Sequence, residues 1–193
     1  PAVIAALLNA QVVLNDQVVP GANDNLTGCA AGVLLAQRLA PDLPADVELV
    51  CVATGAEEAG TGGAYSLARA MRDTWSTEDT VIVAIDGLTN GEMHYMEDGE
   101  IVRLPIPVWL KDIAADTATS DPRFAQVKPF TIPAGGSDAA PFEAMGWPGL
   151  ALVCVDPAIG APRHYHHPSD TPENLDMTQF ALSLDYIEAV VRR

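Results

Sequence analysis

Basic residues are scarce in this chain. It has 10 lysines and arginines against 26 aspartates and glutamates, which gives a formal net charge of −16. Proteins that bind nucleic acid without sequence preference need clustered lysine and arginine to neutralise phosphates. The charge balance therefore argues against a nucleic-acid partner. It is compatible with a cationic ligand or a metal, and with an acidic surface that only keeps the protein in solution.

Long hydrophobic runs and a cysteine framework are also missing. No apolar stretch approaches the roughly 18 to 20 residues of a membrane span, and the chain as printed shows no basic-then-apolar leader. We therefore expect a soluble protein, with its compartment left open. The three cysteines, Cys29, Cys51 and Cys154, cannot all pair within the chain and have no metal-ligand spacing. Each lies in an apolar pattern, which predicts buried free thiols.

Length and composition predict a single globular domain over residues 1–193. The chain has 49% hydrophobic residues, enough to bury a sizeable core. It opens on Pro1 and runs directly into the strand-like residues 2–8. This start predicts a processed or truncated product, in which a missing N-terminal part would add strands to the sheet.

Two kinds of apolar pattern alternate along the chain. Strand-like apolar runs fall at residues 2–8, 49–53, 80–85, 124–132 and 149–155. Helical apolar spacing falls at residues 26–39, 64–72, 107–118, 139–145 and 176–191. Asp98-Gly99, between residues 93–96 and 101–104, predicts a hairpin. The alternation predicts an α/β fold, a three-layer αβα sandwich around a central mixed, mostly parallel sheet.

Carboxylates stand where the predicted strands end. Glu57 and Glu58 directly follow one apolar run and Asp86 follows the next, while Asp24 precedes a predicted helix. Ligands of open α/β sheets bind at the carboxyl ends of the strands. Several carboxylates at that edge would repel one another without a cation, and together with one imidazole from His164, His166 or His167 they suit Zn²⁺. The sequence therefore predicts a metal site.

Four segments carry a family resemblance. They are GANDNLTG at residues 21–28, GAEE at 55–58, GGSDAAPF at 135–142 and YHHPSDTPEN at 165–174. In this order they resemble the successive signatures of the co-catalytic zinc aminopeptidases, a family with glutamate carboxypeptidase-like and glutaminyl cyclase-like members. The similarity runs from about residue 3 to the C-terminal helix, so the resemblance implies the zinc-dependent exopeptidase fold.

The resemblance also implies a role for each acidic residue. Asp24 matches the carboxylate that bridges two zinc ions, Glu58 and His166 match the remaining ligands of the first ion, and Asp86 matches a ligand of the second. Glu57 matches the general base that takes a proton from water and returns it to the leaving amine. The implied activity is hydrolysis of the N-terminal peptide bond of a peptide substrate, without a serine or cysteine nucleophile.

This chain departs from the family pattern at several positions. The relatives carry His-x-Asp at the end of the first strand, where this chain has Leu7 and Asn9, and many have histidine where it has Ala139. We therefore expect one firmly held zinc ion and a second that is weak or absent. Ser137 and Asp138, which follow two glycines, are expected in the wall of the substrate pocket.

Two alternatives remain open at the level of sequence. One-zinc relatives cyclise N-terminal glutamine, and this chain lacks a ligand of the second site. The same fold also serves as a binding domain in proteins whose metal ligands have decayed. Retention of Glu57 and of the first-site residues favours an enzyme.

The late loop supplies three histidines, of which only His166 falls on the family's ligand. His164 and His167 are expected to be solvated neighbours. Asp170 and Asn174 are expected to brace this loop.

Overall fold

The computed structural model describes Leu14 and residues 18–98, 104–132 and 135–193. The predicted strand at residues 2–8, with Leu7 and Asn9, therefore lies outside the described residues. The same holds for residues 101–103 of the predicted hairpin.

The described ranges contain both helices and strands. The helices are α1 (Gly28–Leu39), α2 (Gly62–Met71), α3 (Val108–Ser120), α4 (Ala140–Glu143) and α5 (Met177–Val191). The strands are β1 (Ile82–Asp86), β2 (Glu92–Asp98), β3 (Lys128–Thr131) and β4 (Gly149–Val155). No helix in the described ranges is long and apolar enough to cross a membrane.

The four strands form one mixed sheet in the order β1-β4-β2-β3. β1 runs parallel to β4, with Asp86 opposite Val153, and β2 runs parallel to β3. The pairing between β2 and β4 is antiparallel. Two of the three pairings are thus parallel, which confirms the predicted mixed, mostly parallel sheet.

Strand β3 is shorter than the predicted run at residues 124–132. Pro122–Phe124 forms a turn of 3₁₀ helix and β3 begins only at Lys128. Pro129 lies inside the strand, where it has no N–H group to donate. Among the described strands β3 pairs with β2 alone, and an edge of this kind tolerates proline.

Two apolar clusters hold helices onto the sheet. The larger one joins β1, β2 and β4 to α1, α3 and α5, and its members include Ala31, Leu35, Leu110, Ala114, Leu150, Leu152, Leu184 and Ile187. The smaller one joins α2 to α4 and Trp147, through Ala64, Ala68 and Phe142. Leu150 and Leu152 of β4 are 0% exposed, and burial of each such side chain stabilises the fold by about 2 kcal/mol.

The predicted strand at residues 49–53 is wrong for the described structure. Val50 and Val52 are 48% and 52% exposed, while Leu49 packs against the larger core cluster. No strand among the described residues pairs with this segment. A continuous apolar run indicates two apolar faces, but the run by itself does not supply a neighbouring strand to complete the hydrogen bonds.

The prediction of three buried thiols is correct for one cysteine. Cys154 is buried, and this burial raises the pKa of its thiol to about 12. Cys29 and Cys51 are exposed. Cys29 lies on α1 away from the buried face marked by Ala31 and Leu35, and Cys51 belongs to the segment at residues 49–53.

Candidate metal centre

Asp24 lies in an irregular turn that leads into α1. The turn, Ala22–Thr27, has π-type winding, and the backbone of Asp24 and Asn25 departs from helical dihedral angles. Helix α1 therefore starts at Gly28 and not at residue 26 as predicted. The Asp24 side chain is 13% exposed, so its carboxylate is largely shielded from water.

Asn25 ties this turn to the end of β1. Its Nδ2 atom donates to the carbonyl oxygen of Ile85 at 2.8 Å, and its Oδ1 atom accepts from the N–H groups of Gly28 at 3.0 Å and Gly87 at 3.2 Å. Gly28 is required at this contact, because a Cβ atom there would lie 2.7 Å from the Ile85 oxygen. Asp24 is thereby held beside Asp86, which ends β1.

Asn23 provides a second tie on the other side of Asp24. It is 1% exposed, and its Oδ1 atom accepts from the N–H group of Thr89 at 2.9 Å and from the Thr89 hydroxyl at 2.8 Å. Its carbonyl oxygen accepts from the Thr27 hydroxyl at 2.6 Å. Sequence reasoning missed Asn23 and Asn25, although their place on either side of Asp24 in the first motif was the available signal.

The Glu57-Glu58 turn folds back onto the start of α2. The N–H of Thr61 donates to the Glu57 carbonyl oxygen at 2.7 Å, and the N–H of Gly63 donates to the Gly55 carbonyl oxygen at 2.9 Å. A Cβ atom at Gly63 would lie 2.7 Å from the Gly55 nitrogen, so glycine is needed for this close approach. The turn leaves Glu57 partly buried and Glu58 exposed.

Asp24, Glu58 and His166 form a three-residue group whose potential ligand atoms all lie within 4.8 Å of one another. The Nε2 atom of His166 is 2.8 Å from Oε1 of Glu58 and 3.3 Å from Oδ2 of Asp24. The ring of Tyr165 stacks on the His166 ring, with 3.8 Å between centroids. The structure thus brings three of the four predicted metal ligands together and leaves Asp86 outside the group.

The spacing within this group fits a zinc ion. Two ligand atoms, each about 2.1 Å from a tetrahedral zinc ion, lie about 3.4 Å apart. The distances of 2.8 and 3.3 Å from His166 to the two carboxylates are close to that value. Two carboxylates and one imidazole are also a donor set that zinc accepts, with a position left for water. The three residues therefore form a possible metal site.

The clustered carboxylates around the three-residue group would be stabilised by a positive charge. Burial and the neighbouring carboxylates raise the pKa of Glu57 to about 7, and the same causes raise the pKa of Asp86 to about 7. Hydrogen bonds to Asp24 and Glu58 raise the pKa of His166 to about 10, while the hydrogen bond from His166 lowers the pKa of Glu58. In the metal-free protein the protonated imidazole of His166 thus supplies the positive charge between the carboxylates of Asp24 and Glu58.

Asp138 lies beside the acidic residues, and its charge is among the causes that raise the pKa values of Glu57 and Asp86. One of its carboxylate oxygens accepts from the Thr54 hydroxyl. The other, Oδ1, is buried and has no hydrogen-bond partner in the described part of the chain. Ser137 is 5% exposed and accepts from the N–H of Ala139 at 3.2 Å, just before α4.

The remaining loop histidines contact Ser169 and not the three-residue group. The Nδ1 atoms of His164 and His167 lie 2.6 and 2.7 Å from the Ser169 hydroxyl. Asn174 donates to the Ser169 carbonyl oxygen at 2.9 Å, which is the bracing contact expected of it. Sequence reasoning missed Ser169, because a loop serine carries no local signal of such partners.

Two surface cavities lie away from this centre. One, of about 570 Å³, is lined by residues that include Glu97 and Lys111. The other, of about 440 Å³, is lined by residues that include Arg123 and Arg192. Neither contains a residue of the three-residue group, so the chemistry of the side chains and not cavity size identifies the candidate site.

The family model of Peptidase family M28 matches residues 10–191. The chain therefore belongs to Peptidase family M28, which confirms the resemblance drawn from the four motifs.

One curated protein is similar to most of this chain. The chain is 26% identical over 170 residues to the alkaline phosphatase isozyme conversion protein of Escherichia coli K12, covering 85% of this chain and 49% of that protein. The chain thus spans about half the length of this curated relative.

Solved structures show the same fold. A zinc aminopeptidase from Bacillus subtilis superposes with a TM-score of 0.73 at 23% identity, over 90% of this chain and 42% of that one. A glutaminyl cyclase from Porphyromonas gingivalis superposes with a TM-score of 0.65 at 13% identity, over 91% of this chain and 67% of that one.

Proposed function

We propose that this chain is a single zinc-peptidase domain that hydrolyses the N-terminal peptide bond of peptide substrates. The observation that carries the proposal is the convergence of Asp24, Glu58 and His166 on one point, with Glu57 as the immediate neighbour of Glu58. Membership of Peptidase family M28 supports the same reaction class.

Asp24, Glu58 and His166 would hold the zinc ion. When bound, zinc supplies a Lewis acid that polarises a carbonyl group and makes water more acidic. Asp86 is the proposed contributor to a second ion, together with Asp24. With no histidine at Leu7, we propose one firmly held ion and a second that is weak or absent.

Glu57 is the proposed general base. Its carboxylate takes a proton from the attacking water and returns it to the amine that leaves. In the metal-free protein, burial and the neighbouring carboxylates raise the pKa of Glu57 to about 7, and the best acid–base groups titrate near the operating pH. The nearby charges of Asp86 and Asp138 favour a cationic substrate amine, and we propose Ser137 and Asp138 as part of the pocket wall.

The test is hydrolysis of a panel of aminoacyl anilides and short peptides by zinc-loaded protein. Replacing the base in Glu57→Ala should lower kcat/KM by about 10²- to 10⁴-fold, while the zinc content stays that of the parent. The exposed Glu78 offers a matched control, and Glu78→Ala should be as active as the parent. The proposal fails if the parent cleaves none of the substrates or if Glu57→Ala is as active as the parent.

A glutaminyl cyclase is the second candidate. The match to the Porphyromonas gingivalis cyclase covers 67% of that chain, whereas the match to the Bacillus subtilis aminopeptidase covers 42% of that chain. In addition, the single group of three potential ligands is sufficient for one zinc ion. Formation of pyroglutamate from a glutaminyl peptide, detected by mass spectrometry as loss of ammonia, would identify this activity.

A binding domain with a decayed metal site is the third reading. Metal analysis of the purified protein separates it from both enzymes. About one zinc ion per chain supports an enzyme, whereas protein that takes up no zinc supports the binding domain.

A further inference from the structure

Asp170 connects the loop of His166 to the turn of Asp24. Its side chain is only 1% exposed. Its Oδ1 atom accepts from the N–H of Asn23 at 2.8 Å, and its Oδ2 atom accepts from the N–H of Asp24 at 3.0 Å. Its carbonyl oxygen accepts from the N–H of Ala22 at 3.2 Å. Three hydrogen bonds thus join two segments that are 146 residues apart at Asp24 and Asp170.

This contact holds the backbone from which the Asp24 side chain extends. Both oxygens of Asp170 are engaged by consecutive backbone N–H groups, so the turn can neither slide nor rotate relative to the histidine loop without breaking one of them. Hydrogen bonds to a carboxylate are among the strong ones, and a buried carboxylate is costly without them. On the far side, Asn25 fixes the same turn to Ile85 of β1, and Asn23 fixes it to Thr89, which follows β1.

We propose that Asp170 is a positioning residue that sets the zinc affinity of this protein, by holding the Asp24 carboxylate beside His166. Asp170 itself is not a member of the three-residue group, and both of its carboxylate oxygens accept from backbone N–H groups. The inference rests on the proposed function, because it takes Asp24, Glu58 and His166 as the zinc ligands. Replacing a residue that orients a metal ligand without binding the metal typically weakens metal affinity by about 10- to 100-fold.

The experiment measures zinc affinity by competition with a chelating dye, without reference to peptidase activity. Asp170→Asn keeps the size of the side chain but replaces one acceptor oxygen with an NH₂ group that faces a backbone N–H. We expect about 10- to 100-fold weaker zinc binding. Co²⁺ loaded in place of zinc should show altered visible absorption, since those bands report the geometry of the ligands.

Asp176 offers a matched control. Its carboxylate also accepts from two backbone N–H groups, those of Thr178 at 3.1 Å and Gln179 at 3.0 Å, but it does so at the start of α5. Asp176→Asn should lower the melting temperature of the protein slightly and leave the zinc affinity and the Co²⁺ spectrum unchanged.

A second variant separates position from charge. Asp170→Glu keeps the charge and both acceptor oxygens but lengthens the side chain by one methylene group, so it should also weaken zinc binding. Parental zinc affinity in a folded Asp170→Asn or Asp170→Glu variant would overturn the inference.

Two further outcomes are informative. Variants that do not fold would count against the inference, since Asp170 would then serve the fold as a whole. A parent that binds no zinc would overturn the proposed function first, whereas a parent that binds zinc and is matched by Asp170→Asn overturns only the role of Asp170.

Discussion

The Nε2 atom of His166 lies 2.8 Å from the Oε1 atom of Glu58, although the two residues belong to separate loops. Asp24 approaches the same nitrogen from a third segment, at 3.3 Å. The hydrogen bonds to these two carboxylates raise the pKa of the His166 imidazole to about 10, well above its ordinary value. The metal-free site is therefore already assembled around a positive charge, and zinc would exchange with a proton.

Zinc binding should release protons at pH 8. With a pKa of about 10, His166 is mostly protonated at that pH in the metal-free protein, whereas a metal ligand must be the neutral imidazole. About one proton should leave for each zinc ion bound. Isothermal titration calorimetry in buffers of different ionisation enthalpy measures this number directly. Binding with no proton release at pH 8 would contradict the assignment of His166.

Replacing His166 should remove the metal. His166→Ala takes away the only imidazole of the three-residue group, so the loss of zinc affinity should exceed the roughly 10- to 100-fold typical of residues that only support a ligand. His167→Ala is the control, since His167 is exposed and contacts Ser169. Elemental analysis of dialysed protein should find zinc in His167→Ala and little in His166→Ala, and equal zinc in both would refute the proposed ligand set.

Asp86→Asn should stabilise the metal-free protein at neutral and higher pH. The pKa of Asp86 is raised from 3.8 to about 7 by burial and by the surrounding carboxylates, so the folded state resists its ionisation. In the unfolded chain Asp86 ionises from about pH 4 upwards. The contribution of Asp86 to the free energy of unfolding therefore falls as the pH rises from about 4 to 7. Asparagine removes this penalty, by about 2 to 4 kcal/mol above pH 7 and by almost nothing below pH 4.

Urea denaturation in the presence of a chelator, at pH 4 and pH 8, measures the effect of Asp86→Asn. Asp79→Asn is the control, because Asp79 is exposed and lies outside the acidic centre. If the Asp86→Asn variant gains no more free energy of unfolding at pH 8 than at pH 4, ionised Asp86 does not destabilise the folded protein.

Asn25→Ala should destabilise the fold as well as the site. The change removes three hydrogen bonds, to Ile85, Gly28 and Gly87, and leaves partly buried backbone groups without those partners. The expected loss in the free energy of unfolding is about 2 to 3 kcal/mol. Gln37→Ala, at an exposed position of α1, is the matched control and should be close to neutral. Urea denaturation of both variants checks the difference, and equal midpoints would contradict this role of Asn25.

Much of the fold was predictable because the pattern of buried residues is local. The apolar run at residues 149–155 predicted β4 with its observed limits, and Asp176 caps α5 through the N–H groups of Thr178 and Gln179. The strand predicted at residues 49–53 was wrong, since an apolar pattern does not indicate which strand will pair with it. The exposure of Cys29 and Cys51 could not be predicted for the same reason: the burial of a residue depends on what packs over it.

The motifs by themselves singled out Asp24, Glu58 and His166 as candidate metal ligands, from their neighbours in the sequence. Only the tertiary structure decided how these residues meet. The two carboxylate oxygens of Asp170 accept from the backbone N–H groups of Asn23 and Asp24, across almost the whole chain. Such contacts end on backbone N–H groups, which are alike at every residue, so no local pattern of side chains marks the partner of Asp170. Folding alone brings them within hydrogen-bonding distance.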